Sequence, residues 1–148
     1  MLYGTFLSVH SAAMMLALSL LVVSELLLTP AKPRPVKAAL LVGRIGGALL
    51  GLGMIAGVGL LLAGGWSLAT PWLIASFALI GVMMAVEGKY VRPWQKQAKL
   101  TLSDLTTADE IMPFVRQRAA LIGRLTIIAL FAVVALLMVA KPGLDLVR

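Results

Sequence analysis

The chain contains no cysteine, which excludes disulfides, thiolate metal sites and iron–sulfur clusters on cysteine. It has one histidine, so no pair of histidines can bind a metal. It has no glycine-rich phosphate loop with its lysine and no Gly-x-Ser-x-Gly elbow, which removes P-loop nucleotide hydrolysis and the esterase-type nucleophile. Charge is scarce, at 13% of residues against roughly 25% in an ordinary soluble domain. Only 6 residues are acidic, leaving a net charge of +7.

Apolar residues fill the space those groups leave. They make up 61% of the 148 residues, well above the roughly 45–50% of soluble proteins. They fall into four runs, at 5–28, 38–63, 72–90 and 119–140. A span needs about 20 mostly apolar residues, because the hydrocarbon core is about 30 Å thick and a helix rises 1.5 Å per residue. Each run must be helical, since lipid offers no water to satisfy exposed backbone groups. The runs are continuous rather than alternating, which excludes an outer-membrane barrel. The reading is an all-α membrane protein: a single domain over 1–148, built as an antiparallel four-helix bundle with little room for a soluble domain. The first run has no basic segment before it and exceeds a signal peptide's apolar stretch, so it reads as a membrane helix.

The basic residues give an orientation. Lys32, Arg34 and Lys37 lie in the connection 29–37, and Lys89, Arg92, Lys96, Lys99, Arg116 and Arg118 cluster at and beyond the end of run three, toward the connection 91–118. The connection from Gly64 to Pro71 carries no charge. By the positive-inside rule the two basic connections are cytoplasmic and both termini face outward, as expected of a bacterial inner-membrane protein. Charge at span ends marks topology, so the positive balance implies no nucleic-acid partner.

The connectors and small residues set the packing. Pro30, Pro33 and Pro35 stiffen the first connector and force runs one and two side by side. Ala39, Gly43, Gly47 and Gly51 recur every four residues in run two, with Gly53 and Gly57 on a neighbouring stripe. Run three carries Ala78, Gly81, Ala85 and Gly88. Such small residues let helices approach closely, within the chain or in a homodimer. Trp66, Trp72 and Trp94 suit the membrane–water interface. Thr107 with Glu110 fits a capping box, which predicts a short interfacial helix on the cytoplasmic face continuing into run four, with Pro113 either limiting that helix or starting the next.

Five ionisable residues within the runs are candidates for a special role, since each needs a partner or a purpose there. Glu25, Arg44, Glu87 and Arg124 are all near the cytoplasmic ends of their runs and form a charge-balanced layer within about 10 Å of that interface. They either pair across helices, arginine forks meeting carboxylates, or line a cavity that binds an anion or relays protons. His10 stands near the outer face with Ser8, Ser11 and Met14 around it. It reads as a hydrogen-bonded structural residue, a haem or other ring ligand, or a site for soft metal or proton transfer.

The histidine early in run one, the arginine early in run two, the Gly64-Gly65-Trp66 turn before Pro71-Trp72 and the exit Lys89-Tyr90-Val91-Arg92-Pro93 carry a resemblance. Across almost the whole chain the layout resembles a family of uncharacterised bacterial integral membrane proteins. More distantly it is similar to the membrane domains of CopD-type copper-resistance proteins and HemJ-type protoporphyrinogen oxidases. The HemJ likeness implies haem b on His10 with a lysine at Lys89. The chain departs from that pattern, because Lys89 stands at the opposite end from His10 and Ser11 to Leu21 holds no aromatic residue.

Three functions follow as expectations. One is a structural, accessory or small-ligand-binding subunit of a membrane assembly, whose partners are the lipid bilayer, other membrane subunits or a second copy. Another is a haem- or redox-linked protein using His10. The third is a small transporter, which the absence of a charge near the bilayer midplane disfavours. No catalytic constellation stands out, and an independent enzyme is not the favoured reading.

Overall fold

A computed structural model describes residues 2–29, 33–101 and 113–140, with side chains omitted at 33, 34 and 101. Every element within them is helical. Four helices are long and apolar enough to cross a bilayer, Leu2–Leu28, Pro35–Gly64, Pro71–Leu100 and Arg118–Ala140. The chain is an all-α membrane protein. It divides into two units, Met1–Trp66 and Ser67–Arg148.

The first unit is a helical hairpin of α1 (Leu2–Leu28) and α2 (Pro33–Gly64). Proline in the first turn of α2 costs little, because the N–H groups there lack helical partners anyway. Gly65, just past the end of α2, has φ +63°, the left-handed conformation that closes many helices and that glycine adopts without a side-chain clash.

The seam between α1 and α2 uses part of the small-residue stripes of run two, namely Ala39, Gly43, Gly53 and Gly57, but not Gly47 or Gly51. A Cβ added at Gly47 or Gly51 meets nothing within 4 Å. The contacts use Ala39, Gly43, Gly46, Gly53, Gly57, Gly59 and Gly64, and all but Gly59 fall into two interleaved seven-residue series. At 3.6 residues per turn, a step of four drifts about 40° round the helix each time, whereas seven residues fall about 20° short of two turns. A seven-residue repeat therefore keeps facing the same neighbour. On α1 the matching positions are Tyr3, Phe6, His10, Ala13, Ala17, Leu20 and Ser24. Tyr3 meets Gly64, His10 meets Gly57 and Ser24 meets Gly43, the register of an antiparallel pair.

The second unit opens with a turn tied by Ser67 and Thr70. Thr70 Oγ1 donates to the Ser67 carbonyl at 2.6 Å, and Ser67 Oγ accepts from the Ala69 N–H at 3.2 Å. Helix α3 (Pro71–Val86) starts with proline after an extended Thr70. It runs on through a π-helical turn, Glu87–Val91, into α4 (Arg92–Thr101). The third run therefore outlasts its expected end at residue 90, and its last ten residues occupy what the sequence suggested was a connection.

Pro93 explains the π turn. It has no N–H for the carbonyl four residues back, and its ring crowds that carbonyl. Widening the preceding turn relieves this, and the Arg92 N–H reaches Glu87 O instead. Residues 113–115 are helical, a turn follows at Arg116, and α5 (Arg118–Ala140) begins after it. The turn at Arg116 thus separates the helical stretch at Pro113 from α5. The capping box at Thr107 and Glu110 lies outside the described residues. Within the unit, α3 and the π turn pack against α5. A Cβ at Gly123 would sit 2.8 Å from Tyr90 Cβ, so glycine is what admits the tyrosine there.

Candidate functional site

His10 lies inside the α1–α2 seam, only 9% exposed. Two glycines of α2 make its place. Gly53 offers its carbonyl to His10 Nδ1 at 2.7 Å. Gly57 leaves the ring its space, since a Cβ there would stand 3.0 Å from both Cε1 and Nδ1. A carbonyl can only accept, so Nδ1 carries the proton and Nε2 has the lone pair in the neutral ring. Met14 packs one turn further along, where a Cβ on Gly53 would come within 3.0 Å of its sulfur.

Glu25 and Arg44 flank the contact between Ser24 and Gly43. Ser24 Oγ donates to the Ala39 carbonyl at 2.9 Å, a side-chain link from α1 to α2 at this level. Glu25 is half-buried and Arg44 is exposed. The two are at similar height in the hairpin, as their distance from the span ends suggested.

In the second unit the expected layer takes a different form. Glu87 and Arg124 lie near the height at which Tyr90 meets Gly123. Glu87 pairs with Arg92, whose Nε is 3.3 Å from Oε1. The π turn creates this pair, because closing the backbone ring from Glu87 to Arg92 stacks residues five apart. Both side chains are well exposed, at 38% and 64%, and an ion pair so open to solvent contributes about 0–1 kcal/mol.

Arg124 turns to an aromatic cluster. It is 7% exposed, its guanidinium carbon is 4.2 Å from the centre of the Trp94 ring, and Nη2 donates to the Val115 carbonyl at 3.3 Å. Trp94 is itself buried. Its Nε1 donates to the Phe114 carbonyl at 3.1 Å, and its ring stacks on Phe114 with centroids 5.5 Å apart and planes at 16°. Trp94 is therefore a core residue rather than the lipid-facing anchor that its position suggested. Arginine over an aromatic face, with one N–H on a carbonyl, helps hold the buried guanidinium in place.

Sequence reasoning missed Phe114 and the Val115 carbonyl. Trp94 and Phe114 are 20 residues apart and come together only because the turn at Arg116 folds residues 113–115 back against α4. Spacing alone carries no sign of that. Among the described residues, no group of three or more His, Asp or Glu gathers where a metal ion could be held.

No protein-family model matches the chain, and no curated protein or solved structure matches it either. Its function is read from its own geometry.

Proposed function

We propose that the chain is a small inner-membrane subunit with a structural role in a membrane assembly, with basic connections on the cytoplasmic side and both termini outside. The observation that carries this reading is His10. The one histidine, and the one candidate cofactor ligand, is buried in the helix seam with Nδ1 bound to Gly53 O. Arg124 is likewise engaged by Val115 and Trp94, and Glu87 by Arg92. These polar groups tie one segment to the next. Many large apolar side chains turn outward, among them Met15, Leu26, Ile55 and Val139, as expected of surfaces meeting lipid or neighbouring membrane helices. The nine basic residues in the two basic clusters support the orientation.

One observation favours a second reading, a haem- or metal-linked protein in line with the HemJ likeness. A histidine ligand commonly donates its other ring N–H to a backbone carbonyl, and His10 does so. The fit to haem is partial: His10 supplies one donor atom, Nε2, from a buried position. An absorbance spectrum, oxidised and dithionite-reduced, separates the readings for protein purified in mild detergent from haem-replete cells. The structural reading predicts no stoichiometric Soret band. A Soret band of one haem per chain, lost in His10→Ala, would overturn it.

A further inference from the structure

Helix α4 has two unlike faces. Val91, Trp94 and Ala98 are buried. Arg92, Lys96 and Lys99, spaced four and three, are exposed and share one side of α4, and Lys89 is exposed in the π turn just before them. Of these four, Arg92 is compensated by Glu87, and Lys89 rests its ammonium 5.3 Å from the Tyr90 ring centre. Arg116 and Arg118, also exposed, stand at the same end of the unit.

The position of this stripe follows from helix length. The helix from Pro71 to Leu100 has 30 residues, and a span consumes about 20. Counted from Pro71, the hydrocarbon ends near Tyr90, where the stripe begins. The headgroup layer adds about 5–8 Å beyond that, and the stripe rises about 15 Å from Lys89 to Lys99. Its lower half is at headgroup height. Its upper half stands within a long side chain's reach plus one Debye length of about 8–10 Å.

We propose that Lys89, Arg92, Lys96 and Lys99 form a binding face for phosphate groups of anionic phospholipids. The chemistry is a phosphate oxygen against exposed ammonium and guanidinium groups, and the lipid surface supplies it at the height where the stripe starts. Each such cation near an anionic surface changes binding by about fivefold. Membrane insertion is the one premise this needs, so it stands apart from the structural role proposed above.

The test is native mass spectrometry of the full chain released from nanodiscs of equimolar palmitoyl-oleoyl phosphatidylglycerol and phosphatidylcholine. The intact protein should retain phosphatidylglycerol several-fold over phosphatidylcholine. Combining Lys89→Gln, Arg92→Gln, Lys96→Gln and Lys99→Gln should remove the preference. Lys96→Gln with Lys99→Gln keeps the Glu87–Arg92 pair and should lower it in a chain whose helix content is unchanged. Replacing the three lysines by arginine should preserve it. Equal retention of both lipids by the intact protein would overturn the proposal. So would an equal loss on Arg34→Gln with Lys37→Gln, which would make the preference a matter of total charge. Displacement of the lipid by inorganic phosphate at a millimolar concentration where sulfate has no effect would show a free-phosphate site, and binding of polyglutamate in its place an acidic-protein site. Either result would contradict a lipid face.

Discussion

The α1–α2 hairpin is closed by what its residues leave out, and the α3–α5 unit by what its residues put in. In the first, glycines at 43, 46, 53 and 57 let α2 receive Ser24, Leu20, Met14 and His10 at van der Waals distance. In the second, Trp94 is stacked between Phe114 and Arg124 and bonds Phe114 O, while a single glycine, Gly123, clears room for Tyr90. Inside lipid, apolar surface alone gives helices little reason to associate. One unit gains close packing and two side-chain links to backbone carbonyls. The other gains a desolvated aromatic and cationic cluster, set at the helix end where water, turn and membrane meet. Added atoms should therefore break the first unit, and removed atoms the second.

The largest effect is expected from Trp94→Ala. It deletes the stacking, the cation–π contact and the bond to Phe114 O, and leaves Arg124 over a void. The cost should be about 3–5 kcal/mol, read as unfolding free energy in mixed micelles. Next comes a matched pair of additions to α2. Gly57→Leu drives a side chain into His10 and should cost about 2–3 kcal/mol. Gly47→Leu points into open space and should change stability by less than about 0.5 kcal/mol. Equal costs for the two would mean that the seam follows some other stripe. His10→Ala removes one side-chain link in lipid and should cost about 1–2 kcal/mol. The smallest cost among the disruptive substitutions is that of Gly65→Ala, about 1 kcal/mol, for forcing a Cβ into the left-handed region. It should lower stability with no change in helix content by circular dichroism.

The four helices were legible in the sequence because hydrocarbon thickness and backbone satisfaction leave few alternatives. The run at 119–140 differs by one residue from the helix at Arg118–Ala140. Charge misled at residue 90: the basic residues Lys89 and Arg92 suggested that the run ends there, and the helix itself continues to Thr101. The small-residue stripes of run two pointed to Ala39, Gly43, Gly53 and Gly57, which line the seam, and also to Gly47 and Gly51, where a Cβ would meet nothing. His10 was legible as an unusual residue, and its partner was not. Gly53 O is a backbone group 43 residues away, and no side-chain pattern announces a carbonyl. For the same reason the Val115 carbonyl and the Trp94 ring, which Arg124 meets, were not legible in the spacing of charges.

The absence of native cysteine makes the hairpin register directly measurable. A Cβ placed at Gly43 lies 3.7 Å from Ser24 Cβ, within the range of about 3.5–4.5 Å that a disulfide spans. The pair Ser24→Cys with Gly43→Cys should oxidise within the chain in the membrane and shift its mobility on a non-reducing gel. Ser24→Cys with Gly47→Cys should stay reduced under the same oxidant. Crosslinking of the second pair and not the first would contradict the seven-residue seam, and with it the place assigned to His10.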